Sequence, residues 1–517
     1  MPRTLHALAA LLVGALLMGA CAPGATTPTT SAAPAPAELI VDYGVNAVGS
    51  LDPLKWRSTA EKQALRLAYE SLTTYDGKTE LQPQLATSWS VSEDKLTWTF
   101  KLRPNVKFHD GSALDATAVK FNFDRMIDPQ SVSLNAPTFR TVIKSVTAVD
   151  AQTVQVTTNG PQSSLPGMLA GWGGEIVNPV AVVKVDNDPT AAAKLGTGTY
   201  SIAVFQPGTA VTFKRNDAYW GTKANFERIT LKSIPEVSAR VAALTSGQTH
   251  VALSVPATQL SLLQQDAKLR VITTDTTLMW YLGFNTRKPP LNDKRVRQAI
   301  AYAVNMPEVA STVYGGKLKL FPGPVPSSLQ AYDASLKGYT RDLAKAKSLL
   351  GEAGATNLNL ELLYSDSPDL DRFAQLMQAQ LKEAGINLTV RKLEYATYYA
   401  ALTKGEMQIF IQGWGNSTGQ AVYTLQSLYG SRAPASVNLS GFGDAQVDAY
   451  FRDALASFDP STAKQAISNA QKIIIEAAAT PYAWSLEPIH AMAKDLSNWT
   501  PTPIGDLTTI GLATWGK

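Results

Sequence analysis

The chain has 517 residues, more than a single hydrophobic core normally serves, so two or more lobes are expected. Hydrophobic residues make up 45% and the formal net charge is +4, with lysines and arginines dispersed among acids. That is the composition of a globular protein, and the lack of a basic stripe argues against a nucleic-acid partner. One cysteine rules out an intrachain disulfide, so stability has to come from burial.

In chain order, the first segment reads as targeting sequence. Arg3 precedes a short apolar run, Ala7 to Met18, which falls below the roughly 20 residues needed to span a bilayer. Small residues lead to Cys21, and Met18-Gly19-Ala20-Cys21 resembles the bacterial lipobox. The expectation is a signal peptide over 1–20 and lipid attachment at Cys21, which holds the exported protein to the cell membrane, on its outer face or in the periplasm. Residues 22–37 contain only Ala, Pro, Gly, Thr, Ser and so read as a tether with almost nothing to bury.

The body opens with a strand at Glu38–Tyr43, a turn at Gly49–Pro53 and a helix over Glu61–Ser71. Leu96–Leu102 alternates as a half-buried strand, and Ala116–Met126 has helical spacing. Val142–Val149 with Thr153–Thr157 reads as a hairpin, and Tyr200–Val204 and Val211–Lys214 as two more strands. Later, Asn292 or Asp293 caps a helix carrying Val296, Ile300, Ala303 and Val304 on one face. A second helix spans Leu343–Leu350. A βαβαβ run follows, with strands at Leu358–Tyr364, Ile386–Val390 and Met407–Gln412 and helices at Leu370–Ala384 and Tyr395–Lys404. Ligands of such sheets bind beyond the carboxyl ends of the strands. The segment Gly413-Trp-Gly-Asn-Ser-Thr-Gly419 is therefore the place to look for a site.

Three blocks carry a family resemblance. The first runs from Leu85-Ala-Thr-Ser-Trp89 through Leu96-Thr-Trp-Thr-Phe-Lys-Leu-Arg103 to Val106-Lys-Phe-His-Asp-Gly111. The second joins Gly196-Thr-Gly-Thr-Tyr200 to Lys214-Arg-Asn-Asp-Ala-Tyr-Trp220. The third joins Phe284-Asn-Thr-Arg-Lys-Pro-Pro290 to Asp293-Lys-Arg-Val-Arg-Gln-Ala-Ile-Ala-Tyr-Ala-Val-Asn305. They resemble the family 5 extracytoplasmic solute-binding proteins of peptide, nickel and glutathione ABC importers. The resemblance implies an α/β, two-lobed periplasmic-binding-protein fold (type II, cluster C-like), with an extra subdomain in the first lobe. The expected divisions are 38–72, 191–275 and 488–517 for lobe I, 73–190 for the extra subdomain and 276–487 for lobe II. The implied function is capture of a small solute between the lobes by a monomer, and its delivery to a membrane permease, without catalysis or cofactor.

Peptide-binding members carry an aspartate shortly after the tryptophan of the 413–419 segment. Here Trp414 is followed by Gly415, Asn416, Ser417 and Thr418, so that carboxylate is missing. A buried ammonium without a counter-charge is costly. The hydroxyl and amide groups of Asn416, Ser417, Thr418 and Gln420 suit a neutral or hydroxyl-rich ligand, and Ser417 to Gln420 looks more like the glutathione-binding branch. Expected ligand-binding residues are Trp414, Gly415, Asn416, Ser417, Thr418 and Gln420. Trp280, Tyr281 and Trp484 join them as aromatic walls, and Arg432 is a lesser candidate for a ligand carboxylate.

Gly415-Asn-Ser-Thr-Gly419 also matches the G-x-S-x-G nucleophile elbow, with Asp444 or Asp448 and then His490 in hydrolase order. No HGGG-like segment precedes it. The rival reading is a serine hydrolase using Ser417. His109, His250 and His490 stand at no metal-ligand spacing, so no metal site is expected.

Overall fold

The computed structural model describes residues 36–44, 48–56, 59–171, 173–186, 189–416 and 418–516. Cys21, the expected signal peptide and nearly all of the tether lie outside the described residues, as does Ser417.

Three sheets organise the chain. A seven-stranded sheet is ordered Tyr200–Gln206, Ala210–Arg215, Arg228–Lys232, Glu38–Asp42, Val251–Ala252, Ile489–Ala493, Leu269–Thr273. It therefore draws strands from the start, middle and end of the chain. Its central strand is apolar where it meets the core, with Leu39 and Val41 buried. A buried ion pair ties that strand to the helix Val237–Thr245, with Arg240 Nε 2.6 Å from Asp42 Oδ2. A four-stranded antiparallel sheet, Ala86–Val91, Thr97–Leu102, Thr153–Thr158, Ile143–Asp150, is inserted between the first and second strands of the chain's largest sheet. The helix Ala116–Ile127 packs on it through Val119, Phe123 and Met126, and Asp115 caps it by accepting from Ala118 N.

The second lobe is built on a six-stranded sheet ordered Leu318–Phe321, Tyr482–Leu486, Leu278–Phe284, Ile409–Gly415, Leu358–Ser365, Ile386–Leu393. The expected βαβαβ unit forms its edge. Leu358–Ser365 pairs in parallel with both Ile386–Leu393 and Ile409–Gly415, so the strand order reverses beside the last of these. Helix Pro368–Glu383 covers one face through Leu370, Phe373, Met377 and Leu381. Asp293 caps Lys294–Ala303 by accepting from Arg295 N. The sheet buries separate apolar clusters on its two faces.

One helix is shorter than the sequence suggests. Thr59–Leu65 stops where Ala68 and Tyr69 N both donate to the Leu65 carbonyl (2.9 and 3.0 Å). Glu70 and Ser71 then form a strand against Ile176 and Glu175. The Glu70 carboxylate draws the chain inward, accepting from Thr197 (2.7 Å), Tyr219 (2.8 Å) and Trp220 (3.0 Å). Helical periodicity cannot register such a long-range demand.

Two crossings, residues 274–277 and 487–488, join the lobes. Lys319 reaches both, pairing with Asp275 and, at 2.9 Å, with Glu487. Just behind them His490 accepts from Ser254 N through Nδ1 (3.4 Å) and meets Thr274 Oγ1 through Nε2 (3.0 Å). Burial pushes its pKa down to about 4. A histidine held neutral contributes stability that is complete above its unfolded value near 6.5 and is lost as pH falls toward 4. Urea titrations between pH 7 and 4.5 should show stability falling by up to about 1.4 kcal/mol per pH unit from this group, and His490→Gln should flatten that part of the curve. An unchanged slope in the variant would contradict the assignment.

Candidate functional site

The antiparallel strands Leu278–Phe284 and Ile409–Gly415 place Met279 opposite Trp414 and Leu278 opposite Gly415. Trp414 is half-buried at the strand end, its ring tilted against Tyr423 at 6.1 Å, and its Nε1 is buried with no hydrogen-bond partner. The ring thus packs against the apolar cluster of this sheet face and keeps one unanswered donor. Gly415 is exposed. Trp280 is half-buried on the opposite sheet face from Tyr281, as alternation requires.

The rest of the loop is bonded within itself. Asn416 is 1% exposed. Its amide donates to the Gln420 carbonyl (2.8 Å) and Thr424 Oγ1 (2.9 Å), and its Oδ1 accepts from the backbone and hydroxyl of Thr418, both at 3.0 Å. Asn416 and Thr418 therefore hold the loop's shape through these bonds. Trp484 and Tyr281 pack into the sheet's two apolar clusters. Trp484 is 1% exposed and stacks on Phe373 at 5.6 Å, and Tyr281 packs edge-on to Phe410 at 5.8 Å. Both strands are covered on both faces, so their aromatics serve core. Arg432 is exposed.

Gln420 does something the sequence did not suggest. Its Nε2 donates to Tyr75 Oη at 2.8 Å, a bond from lobe II to the strand Thr73–Tyr75 of the first lobe. Two glycine backbones approach the Tyr75 side chain closely at this seam. A Cβ on Gly419 (φ +65°) would stand 2.6 Å from the Tyr75 ring, and one on Gly167 would stand 2.4 Å from its hydroxyl. The seam continues elsewhere. Thr79 Oγ1 donates to the Ser328 carbonyl (2.9 Å), Ser163 N donates to the Leu455 carbonyl (2.7 Å), and Phe458 packs against Trp98 at 5.7 Å. Gly419→Ala should therefore obstruct this apposition. Its expected outcome is at least a tenfold loss of ligand affinity by calorimetry, alongside the roughly 1–2 kcal/mol that a side chain costs at this left-handed φ, and wild-type affinity would contradict the role given to the seam.

Below the seam the first lobe carries buried charge. Arg66 meets Asp506 at 3.2 Å, with both side chains under 5% exposed, and also donates to Ser71 (2.8 Å) and Thr74 (2.9 Å). Lys62 and Glu175 lie in the same interior. Sequence reasoning missed Tyr75, Lys62 and Glu175 because each becomes notable only through long-range neighbours.

Among the described residues, the other members of the hydrolase reading are engaged elsewhere. His490 is engaged by Ser254 and Thr274, Asp444 caps the helix Ala445–Ala456, and Asp448 accepts from Ser431 N. Among the described residues no group of three His, Cys, Asp or Glu could hold a metal ion, and no helix is long and apolar enough to cross a membrane.

Residues 80–436 match the family described as bacterial extracellular solute-binding proteins, family 5. The chain is 28% identical over 492 residues to the probable D,D-dipeptide-binding periplasmic protein DdpA of Escherichia coli K12, covering 91% of this chain and 93% of that one. It is 30% identical over 455 residues to the glutathione-binding protein GsiB of the same strain, covering 86% and 88%. Among solved structures it resembles the binding protein MoaA from A. tumefacien R10 in complex with mannopinic acid, at 28% identity and a TM-score of 0.76, over 93% of this chain and 99% of that one.

Proposed function

Since the chain belongs to the bacterial extracellular solute-binding proteins of family 5, we propose that it closes its lobes over one small polar organic solute held against Trp414. It is the substrate-binding component of an ABC importer, an exported protein that delivers its solute to a membrane permease. The proposed divisions are those expected above, with 73–190 as the extra subdomain of lobe I and 276–487 as lobe II. The observation that carries the site is the Gln420–Tyr75 bond, which brings the Trp414 loop against the first lobe. Energetically, the solute shifts the population toward the closed form, by as much as its affinities for the two forms differ.

The relatives' names point to D,D-dipeptides and glutathione, and the neighbouring structure holds mannopinic acid. The proposed solute class is accordingly peptide-like, glutathione-like or another polar organic molecule. A thermal-shift screen against a metabolite panel tests the reading. A ligand at about 100 times its Kd adds roughly 2.7 kcal/mol to stability. Failure of every member to stabilise the protein would overturn it.

The protein is proposed to act as a monomer and without catalysis, Ser417 supplying at most a hydrogen bond. Anchoring is proposed through an acylated Cys21. Metabolic labelling with a fatty acid should mark the wild type in a globomycin-sensitive way and leave Cys21→Ser unmarked, and normal labelling of the variant would sink the anchor.

A further inference from the structure

Lys62 lies on the helix Thr59–Leu65 and is 3% exposed. Its ammonium has three donors, and its hydrogen bond in the structure goes to the Ala170 carbonyl at 3.2 Å. Ala170 packs with Tyr75 and Ile504, so this ammonium sits just behind the Tyr75–Gln420 seam. Glu175, 4% exposed, lies in the same interior, paired along the strand with Ser71. Its Oε2 accepts from Gly173 N at 2.8 Å, while its Oε1 is buried with no partner. The two charges feel each other, yet no ion pair joins them. Both therefore keep unanswered hydrogen-bonding capacity where a lost bond is expensive. Burial raises the Glu175 pKa and, with Arg66 adding to the effect, lowers that of Lys62 to about 8. Arg66 itself is occupied by Asp506, Ser71 and Thr74. Across the seam, the loop after Trp414 offers only neutral groups from Gly415 to Gln420.

We infer that Lys62 and Glu175 together receive a zwitterionic head group of the solute, its ammonium on Glu175 Oε1 and its carboxylate on Lys62 Nζ. This rests on the binding-protein reading and deepens it. The counter-charge that the second-lobe loop lacks is supplied from the first lobe. A free amino acid end fits both groups at once, because each charge of the head group answers the opposite charge on the protein. Capping either end strands one buried protein charge.

The test is calorimetry on the protein with glutathione, whose γ-glutamyl end carries its ammonium and a carboxylate on one carbon, and with L-glutamine, each also N-acetylated and, separately, amidated at that same α-carboxylate. The uncapped probes should bind, and each cap should weaken binding at least thirtyfold. Glu175→Gln should abolish the discrimination against N-acetylation alone, and Lys62→Met that against amidation alone. A merely structural role would lower melting temperature and leave these ratios unchanged, which overturns the inference. Equal binding of capped and uncapped probes to the wild type overturns it without using any variant, so a variant that fails to fold does not protect it. No binding of any zwitterionic probe overturns it too. In that case a neutral metabolite that still stabilises the protein preserves the binding-protein reading, whereas silence across the whole panel removes both.

Discussion

Trp414→Ala should lose the ligand-induced thermal shift. The ring closes the end of the strand Ile409–Gly415, rests on Tyr423 and keeps an unanswered indole donor. Truncating an aromatic anchor at a binding site commonly costs about 2 kcal/mol or more, which is about a thirtyfold loss of affinity. Ser417→Ala removes at most a neutral hydrogen bond, of order 1 kcal/mol, and should only reduce the shift. The comparison is made by titrating each variant with the panel ligand and reading melting temperature. Retained full affinity in Trp414→Ala would remove this residue from the site. Turnover of the ligand that disappears in Ser417→Ala would revive the hydrolase reading.

Asp42→Ala should be the most damaging of the substitutions considered for stability. The Asp42 carboxylate is fully buried at the end of the central strand, where it holds Arg240 at 2.6 Å and accepts from Gly44 N at 2.9 Å. Arg240 also donates to the carbonyls of Leu253 and Ser254, which fixes the guanidinium in place after its partner is gone. Breaking a buried pair by removing one partner costs about 3–5 kcal/mol, because the remaining charge stays buried. Urea denaturation should show a midpoint lowered accordingly in the first-lobe transition. A loss below about 1 kcal/mol would mean that water reaches Arg240. Pairs such as Lys120–Asp124, with both side chains over 40% exposed, should by contrast contribute almost nothing.

The second lobe was the more legible in sequence. Its βαβαβ unit has strong local periodicity, and Leu370, Phe373, Met377 and Leu381 fall on the buried face as spacing predicts. The strand leading to Trp414 was legible for the same reason. The limits lay in long-range pairing. Glu70 looked helical because the helical spacing from Glu61 runs on to it, yet three partners between Thr197 and Trp220 draw it into a strand. Alternation separated Trp280 from Tyr281, but it could not reveal that a second apolar layer covers the Tyr281 face. Asn416 and Thr418 looked like ligand groups by chemistry alone, and only their short-range bonds assign them to loop geometry. Tyr75, some 345 residues from Gln420, had no local signal at all.

Small-angle scattering of the protein with and without saturating ligand tests the central claim most directly. If the lobes close over the solute, bringing the Gln420 loop against Tyr75, the radius of gyration decreases on binding. A radius that stays the same while calorimetry reports full occupancy would contradict closure.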